Sequence, residues 1–322
     1  MTLFLLRRAF TLLATLLAAS ALVFGVLELL PGNAAQALMG PEAAPEAVAA
    51  LAEKLGLNES ALLRYGRWLA GMAQGEFGDS YAYSTPVRAL IAERLTLTVP
   101  LALLAMALTT LLALTAGVYA AARQGRAGDW AVMGLTQLGI AVPNFWFAIL
   151  LILAFSVGLQ WLPAGGFPGW NEAAGGGWWP ALQALLLPAL ALALVQAAIL
   201  ARVTRGAVLD LLGEDFVRTA RAKGLTCRQA LWRHVLRNAL PPVLTVMGLQ
   251  FANLLAGTIV IENVFTLPGL GRLIFQAIAN RDLVVVRNCV MLLAGLVVLV
   301  NFCVDVLAAV IDPRLRLHAA AS

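Results

Sequence analysis

The sequence predicts an all-α, polytopic membrane protein with about six transmembrane helices and both termini in the cytoplasm. Three observations carry this. Hydrophobic residues are 61% of the 322 and charged ones only 12%, with a mean hydropathy of +0.86, where a soluble domain is about half apolar and a quarter charged. The apolar residues gather into runs of roughly twenty residues or more, the length a helix needs to cross the ~30 Å hydrocarbon core. The basic residues collect in alternate gaps between those runs, as cytoplasmic segments do. The same figures exclude a disordered chain, a collagen and a disulfide scaffold.

The first run, Ala9–Leu30, has a single charge, Glu28, at its far end. Arg7-Arg8-Ala9-Phe10 has the basic start of a secretory signal and a faint twin-arginine pattern. The apolar core is longer than the ~7–15 residues of a signal, so it is read as a retained helix. Five further runs follow, at about Thr96–Ala122, Met133–Leu159, Leu182–Ala201, Pro241–Ile261 and Leu283–Ile311. Val142-Pro143-Asn144 is read as a kink in the third run rather than a break. Pro188 in the fourth is read as a proline whose freed carbonyl is satisfied by neighbours. The chain then divides into 1–30, the N-terminal segment and first transmembrane helix; 31–95, a periplasmic insert; and 96–322, a five-helix core with a cytoplasmic loop at 206–238.

With the N-terminus inside, cytoplasmic segments hold 14 of the 22 basic residues. These are Arg7, Arg8, Arg123, Arg126, Arg202, Arg205, six in 218–237, and Arg314 and Arg316. The net charge of +5 therefore serves orientation and points to no nucleic acid. The insert starts at a Pro31-Gly32-Asn33 turn, and its stretch Glu46–Leu57 places Val48, Leu51 and Leu55 at helical spacing. The Gly-rich segment 162–180 has Trp161, Trp170, Trp178 and Trp179 in or beside it. Their rings suit the headgroup boundary; stacking on a ligand is the other use for them.

Much chemistry is missing. The two lysines, Lys54 and Lys223, stand in no phosphate loop, and the two histidines, His234 and His318, form no metal motif. There is no nucleophile elbow and no Cys-x-x-Cys, so neither catalytic nor metal-ligating residues are assigned. Cys289 and Cys303 lie fourteen residues apart in one run, ~21 Å as helix, too far to pair. With Cys227 they are read as free thiols that pack as small hydrophobes. Among acids, Asp305 is the one clear case inside a span, with Asn301 a turn before it on the same face; the pair is read as an intramembrane polar contact between helices. Glu28 and Glu262 lie near outer ends and are expected to reach water.

The largest inside segment carries the functional signal. Glu214 and Asp215 precede Arg218, Arg221 and Lys223, the polarity that suits a helix dipole. Glu214–Arg218 and Asp215–Thr219 are i,i+4 neighbours. Phe216, Ala220 and Gly224 line one face, leaving a narrow stripe with one aromatic knob. Gly224 ends the helix, Thr226 caps the next, and that basic second helix, Arg228–Leu240, is expected to stop at Pro241-Pro242. Such a helix pair suits either anionic lipid or the groove of a partner protein.

The run Glu214-Asp215-Phe216-Val217-Arg218-Thr219-Ala220-Arg221-Ala222-Lys223-Gly224-Leu225, followed by Leu236-Arg237-Asn238-Ala239-Leu240-Pro241, resembles the coupling loop of permeases of binding-protein-dependent ABC importers, in their dipeptide/oligopeptide/nickel branch. The resemblance extends over nearly the whole chain. It takes in Leu6-Arg7-Arg8, Leu30-Pro31-Gly32-Asn33, Pro143-Asn144-Phe145-Trp146, Leu267-Pro268-Gly269-Leu270-Gly271-Arg272, Asn280-Arg281-Asp282 and Asp312-Pro313-Arg314. Ala154-Phe155-Ser156-Val157, Leu159-Gln160-Trp161-Leu162-Pro163-Ala164 and Ile261-Glu262-Asn263-Val264-Phe265 are most similar to nickel-import permeases. One departure stands out: Arg218-Thr219-Ala220 replaces the general Glu-Ala-Ala, leaving Glu214 or Arg221 to substitute for that glutamate.

The resemblance implies a type I importer permease fold in the inner membrane. It implies coupling through Glu214, Asp215, Phe216, Thr219, Ala220, Arg221, Gly224 and Leu225. It also implies a second homologous permease subunit, two ATP-binding subunits that carry ATP and Mg, and a periplasmic substrate-binding protein; this chain would hold no cofactor itself. The expected cargo is nickel, carried as a chelate because no span offers imidazole, or a short peptide. The alternative is an ion-coupled secondary carrier of a small solute, which would call for several mid-span acids and paired repeats.

Overall fold

The computed structural model describes residues 2–29, 35, 39–40, 43–54, 56 and 58–311. Among them there is no strand, only an isolated bridge between Asp79 and Pro86. The expected Pro31-Gly32-Asn33 turn, the Asp312-Pro313-Arg314 motif, Leu55, Arg316 and His318 lie outside the described residues.

α1 (Thr2–Leu29) is apolar enough to span. Its hydroxyls bond within the helix: Thr11 donates to the Arg7 carbonyl at 3.0 Å and Thr15 to the Thr11 carbonyl at 2.8 Å. That satisfies them where no water is available. Two short helices follow, α2 (Pro45–Lys54) and α3 (Ala61–Gln74), the second closed by Gly75 at φ +77°. α4 (Val87–Ala122) has 36 residues, ~54 Å, and so begins before the expected apolar run and outruns the hydrocarbon core.

The third run is broken rather than kinked. α5 (Ala127–Ala141) and α6 (Asn144–Leu151), the latter continuing as a π-helical turn Ile152–Gly158, meet at a bend of 104°. Val142 is extended (φ −92°, ψ 125°), because the ring of Pro143 disfavours a helical residue before it. Neither half alone is long enough to span. Among the described residues, five helices are thus long and apolar enough to cross a membrane, six if the bent pair is one span.

α7 (Trp178–Leu212) keeps Pro188 inside it and is the most buried of the long helices. Alanines at 181, 184, 189, 191, 193, 197, 198 and 201 are buried, so neighbouring backbones approach closely. α8 (Asp215–Ala222) is followed by α9 (Cys227–Ala230), which runs through a π-helical turn Leu231–Val235 into α10 (Leu236–Val264). The expected stop at Pro241-Pro242 is therefore overturned: both prolines lie inside α10. Local side chains bond nearby carbonyls, Asn238 donating to His234 O at 2.9 Å and Thr245 to Pro241 O at 3.2 Å. α11 (Leu270–Ala279) buries Leu270, Leu273, Ile274 and Ala277 on one face, and α12 (Leu283–Ile311) forms the last span.

The chain forms two compact units, described separately. Residues 1–6, 99–267 and 300–322 make one, centred on α7, which packs against α5, α6 and α10. Gly139 of α5 sits against Ala198 of α7, and Gly257 of α10 against Leu192. The other comprises residues 7–98 and 268–299. Its core is Val87, Ile91, Leu270, Leu273, Ile274, Ala277, Val285, Val286 and Cys289. There the buried Asp282 carboxylate accepts from Ser80 Oγ at 2.6 Å, Ala82 N at 3.0 Å and Val285 N at 3.2 Å, tying the loop before α4 to the start of α12.

Two further expectations are corrected. Glu262 does not reach water; it is fully buried. Of the three thiols only Cys289 packs in a core, whereas Cys227 and Cys303 are exposed. Trp161, Trp178 and Trp179 are exposed, and Trp170 packs between the rings of Phe167 and Trp178.

Candidate functional site

The segment expected to couple lies between α7 and α9 as one short helix between two turns. Glu214 occupies the N-cap position of α8 (φ −70°, ψ 150°) without bonding through its side chain. Asp215 in the first turn and Arg221 in the last match the helix dipole. Arg218 pairs with Asp215 at 3.3 Å, so the ion pair runs i,i+3 and the Glu214–Arg218 neighbours stay apart in solvent. Thr219 donates to the Asp215 carbonyl at 2.9 Å.

The far end is a turn only glycine accommodates cheaply. Gly224 has φ +92°; its N–H donates to Arg221 O at 2.9 Å and the next, that of Leu225, to Ala220 O at 3.3 Å. Thr226 then caps α9 reciprocally: Gln229 N donates to Thr226 Oγ1 at 3.3 Å, and Thr226 N to Gln229 Oε1 at 2.9 Å.

The expected stripe is split. Ala220 is buried, and so is Val217, which the sequence reading passed over and which packs in a core made with Val118 and Ala121 of α4, Val208 of α7, and Ala230, Leu231 and Val235. Phe216, at 37% exposure, and Gly224 stay outside. The signal for Val217 was its i,i+3 spacing to Ala220, the only such pair of apolar residues whose burial leaves every charge of α8 in water. Leu225 is half-buried, and Glu214, Asp215, Arg218, Thr219, Arg221 and Lys223 are exposed. Arg218, Arg221, Leu225, Thr226 and Cys227 line a depression of about 470 Å³. Beyond α9 the ring of Trp232 is also exposed. The helix is therefore clamped to its own chain by two small residues and presents an aromatic knob, two arginines and a lysine.

A second missed feature fixes this region. Arg205 of α7 makes a bidentate pair with Asp129 of α5, Nε to Oδ1 at 2.6 Å and Nη2 to Oδ2 at 2.7 Å, and Gly125 N donates to Asp129 Oδ2 at 3.0 Å. Such forks carry geometric specificity. In the sequence Arg205 was legible only as one of the inside charges. Asn301 and Asp305 are both half-buried on α12, with Asn301 Oδ1 set against Gly248 of α10, where a Cβ would come within 2.9 Å of it. Among the described residues, no three His, Cys, Asp or Glu side chains are placed to hold a metal.

Residues 113–317 match the family model described as binding-protein-dependent transport system inner membrane component, and residues 1–102 its N-terminal companion. The chain belongs to that family. The permease is 42% identical over 316 residues to a peptide transport system permease protein of Brucella abortus (strain 2308), covering 98% of this chain and 99% of the relative. It is 36% identical to the dipeptide transport system permease protein DppB of Alkalihalophilus pseudofirmus, covering 96% and 98%. Among solved structures, the MetNI methionine ABC transporter in inward-facing form matches with a TM-score of 0.53 at 20% identity, over 69% of the permease and 96% of that chain, a likeness of fold. The expected type I importer permease fold and multi-pass inner-membrane location thus hold.

Proposed function

We propose that the permease forms one half of the translocation path of an ATP-driven importer of short peptides. A second homologous permease completes the path, two ATP-binding subunits carry ATP and Mg, and a periplasmic binding protein delivers the cargo. The observation that carries the coupling role is the geometry of α8: clamped inward by Val217 and Ala220, it offers Phe216 and the Arg218–Arg221 edge outward on the cytoplasmic side. A helix held this way moves with α4 and α7 when a partner grips its outer face, which is how a push from an ATPase becomes a shift in pore conformation.

Relatives named for peptides and dipeptides, similar over almost the entire chain, support peptide cargo. Nickel rests on local resemblance alone. A secondary carrier is supported by little beyond Asp305.

Reconstitution with the partner subunits tests this. Uptake of a radiolabelled dipeptide into proteoliposomes is expected only with ATP and the ATPase subunits present, unaffected by excess nickel. Phe216→Ala is expected to cut uptake by about tenfold or more while ATP hydrolysis and membrane insertion persist. Uptake by the permease alone, driven by an ion gradient, would overturn the reading.

A further inference from the structure

The unit formed by residues 7–98 and 268–299 encloses a cavity of about 1090 Å³ that the coupling mechanism does not use. It opens among the outer end of α1, α3, the loop before α4, and the first turns of α12. Its floor is an arginine. Arg287 lies over the Trp68 ring at 4.8 Å from the ring centre and over Phe24 at 5.8 Å. Those rings are locked in turn: Trp68 Nε1 donates to Asn288 Oδ1 at 2.9 Å, and Asn288 donates to the carbonyls of Phe77 and Val284.

What Arg287 lacks is an anion. Its Nε is buried without a hydrogen-bond partner, and no ion pair joins it to a carboxylate among the described residues. The Glu28 carboxylate beside it is engaged by Arg64, and that of Asp282 by Ser80 and Ala82. Burial pushes the Tyr81 phenol above its ordinary value, against the opposing pull of Arg287, so Tyr81 faces the guanidinium as a neutral hydroxyl. Aromatic faces stabilise a guanidinium only partly and leave its hydrogen-bonding edge free for a planar, bidentate acceptor.

We infer that this cavity is a binding site for a carboxylate, the C-terminal end of a short peptide, with Arg287 as its anchor on the periplasmic side of the permease. Arg287 brings a positive charge with no ion pair among the described residues to a lining that also holds Glu76, Asp79 and Arg88, and a carboxylate is the planar acceptor its free edge fits. The volume admits a few residues, within the range of small-molecule sites. The aromatic wall of Phe24 and Trp68 gives the peptide an apolar surface beside the charge. The inference rests on the peptide reading above, but it predicts something separate from transport.

The test is equilibrium dialysis of the full-length permease in lipid nanodiscs with radiolabelled Ala-Ala-Ala and its C-terminal amide as probes. The free acid is expected to bind on the order of 10- to 100-fold tighter than the amide. Arg287→Gln should abolish that difference, and Arg287→Lys should keep part of it as a point charge. Equal binding of acid and amide to the unmodified protein, or a difference that survives Arg287→Gln, would overturn the site. Inorganic phosphate displacing the probe as well as acetate does would overturn the carboxylate assignment. The acid–amide comparison needs no variant, so a misfolded substitution does not shield the inference. Dipeptide uptake is measured in parallel. Uptake without carboxylate-dependent binding defeats this site and spares the peptide reading; binding without uptake does the reverse.

Discussion

Single glycines decide how closely the spans pack. At Gly117 of α4 a Cβ would stand 2.7 Å from the Ala201 carbonyl oxygen and 2.7 Å from Thr204 Cβ, both on α7, and neither backbone nor a buried β-branched residue can yield cheaply. Gly206, also on α7, has open space around its own Cβ position. Gly117→Ala is expected to cost about 1–3 kcal/mol and to lower the thermal midpoint in detergent by several degrees. Gly206→Ala should leave it unchanged or raise it slightly, since alanine is the better helix former. Equal midpoints for the two variants would show that α4 and α7 do not meet as described. This contact was not legible in the sequence: Gly117 and Gly206 are both glycines in helical runs, and only the neighbour each meets distinguishes them. The Arg205–Asp129 fork was hidden for the same reason, its partners being 76 residues apart. Gly224 and Thr226, by contrast, were read correctly, because caps and left-handed turns depend on local chemistry.

At the scale of elements, hydropathy located the spans but not their ends or their breaks. The run from Thr96 sits inside a helix that starts at Val87, because Arg88, Glu93 and Arg94 break up the apolar signal of its first turns even though Val87 and Ile91 pack in a core. Pro143 breaks its run, whereas Pro188 and the Pro241-Pro242 pair do not. Proline chemistry is the same at each, so surroundings decide. α8 shows the dependence most directly. Eight residues do not form a stable helix alone in water, so its order derives from burying Val217 and Ala220. Val217→Ala removes two methyl groups from that core, roughly 2 kcal/mol, without touching the exposed face. Amide exchange across 215–222 should then quicken by about 30-fold, while α7 and α10 keep their protection. Unchanged exchange in 215–222 would mean that the helix is held by something other than this clamp.

For the whole molecule, orientation and coupling make one joint prediction through the three thiols. The basic residues near α8 place that helix in the cytoplasm, and Cys227, exposed at the start of α9, lines the depression beside Arg218 and Arg221. Cys289 is buried in the core near the outer end of α12, out of reach of a reagent in water, and Cys303 lies within the same apolar span, about two turns from its inner end. A charged, membrane-impermeant maleimide reacts with an exposed thiolate in water and with little else. It should therefore label the permease in inside-out vesicles and not in right-side-out ones, and Cys227→Ser should abolish the labelling. If α8 is where the ATP-binding subunits dock, adding them should protect Cys227 from the reagent, and Phe216→Ala should restore its reactivity by weakening the docked state. Labelling from the periplasmic face would invert the topology and remove the coupling role with it. Labelling from the cytoplasmic face that the ATPases never slow would keep the topology and place their contact elsewhere, since a partner seated on Phe216 and the Arg218–Arg221 edge covers the adjoining depression.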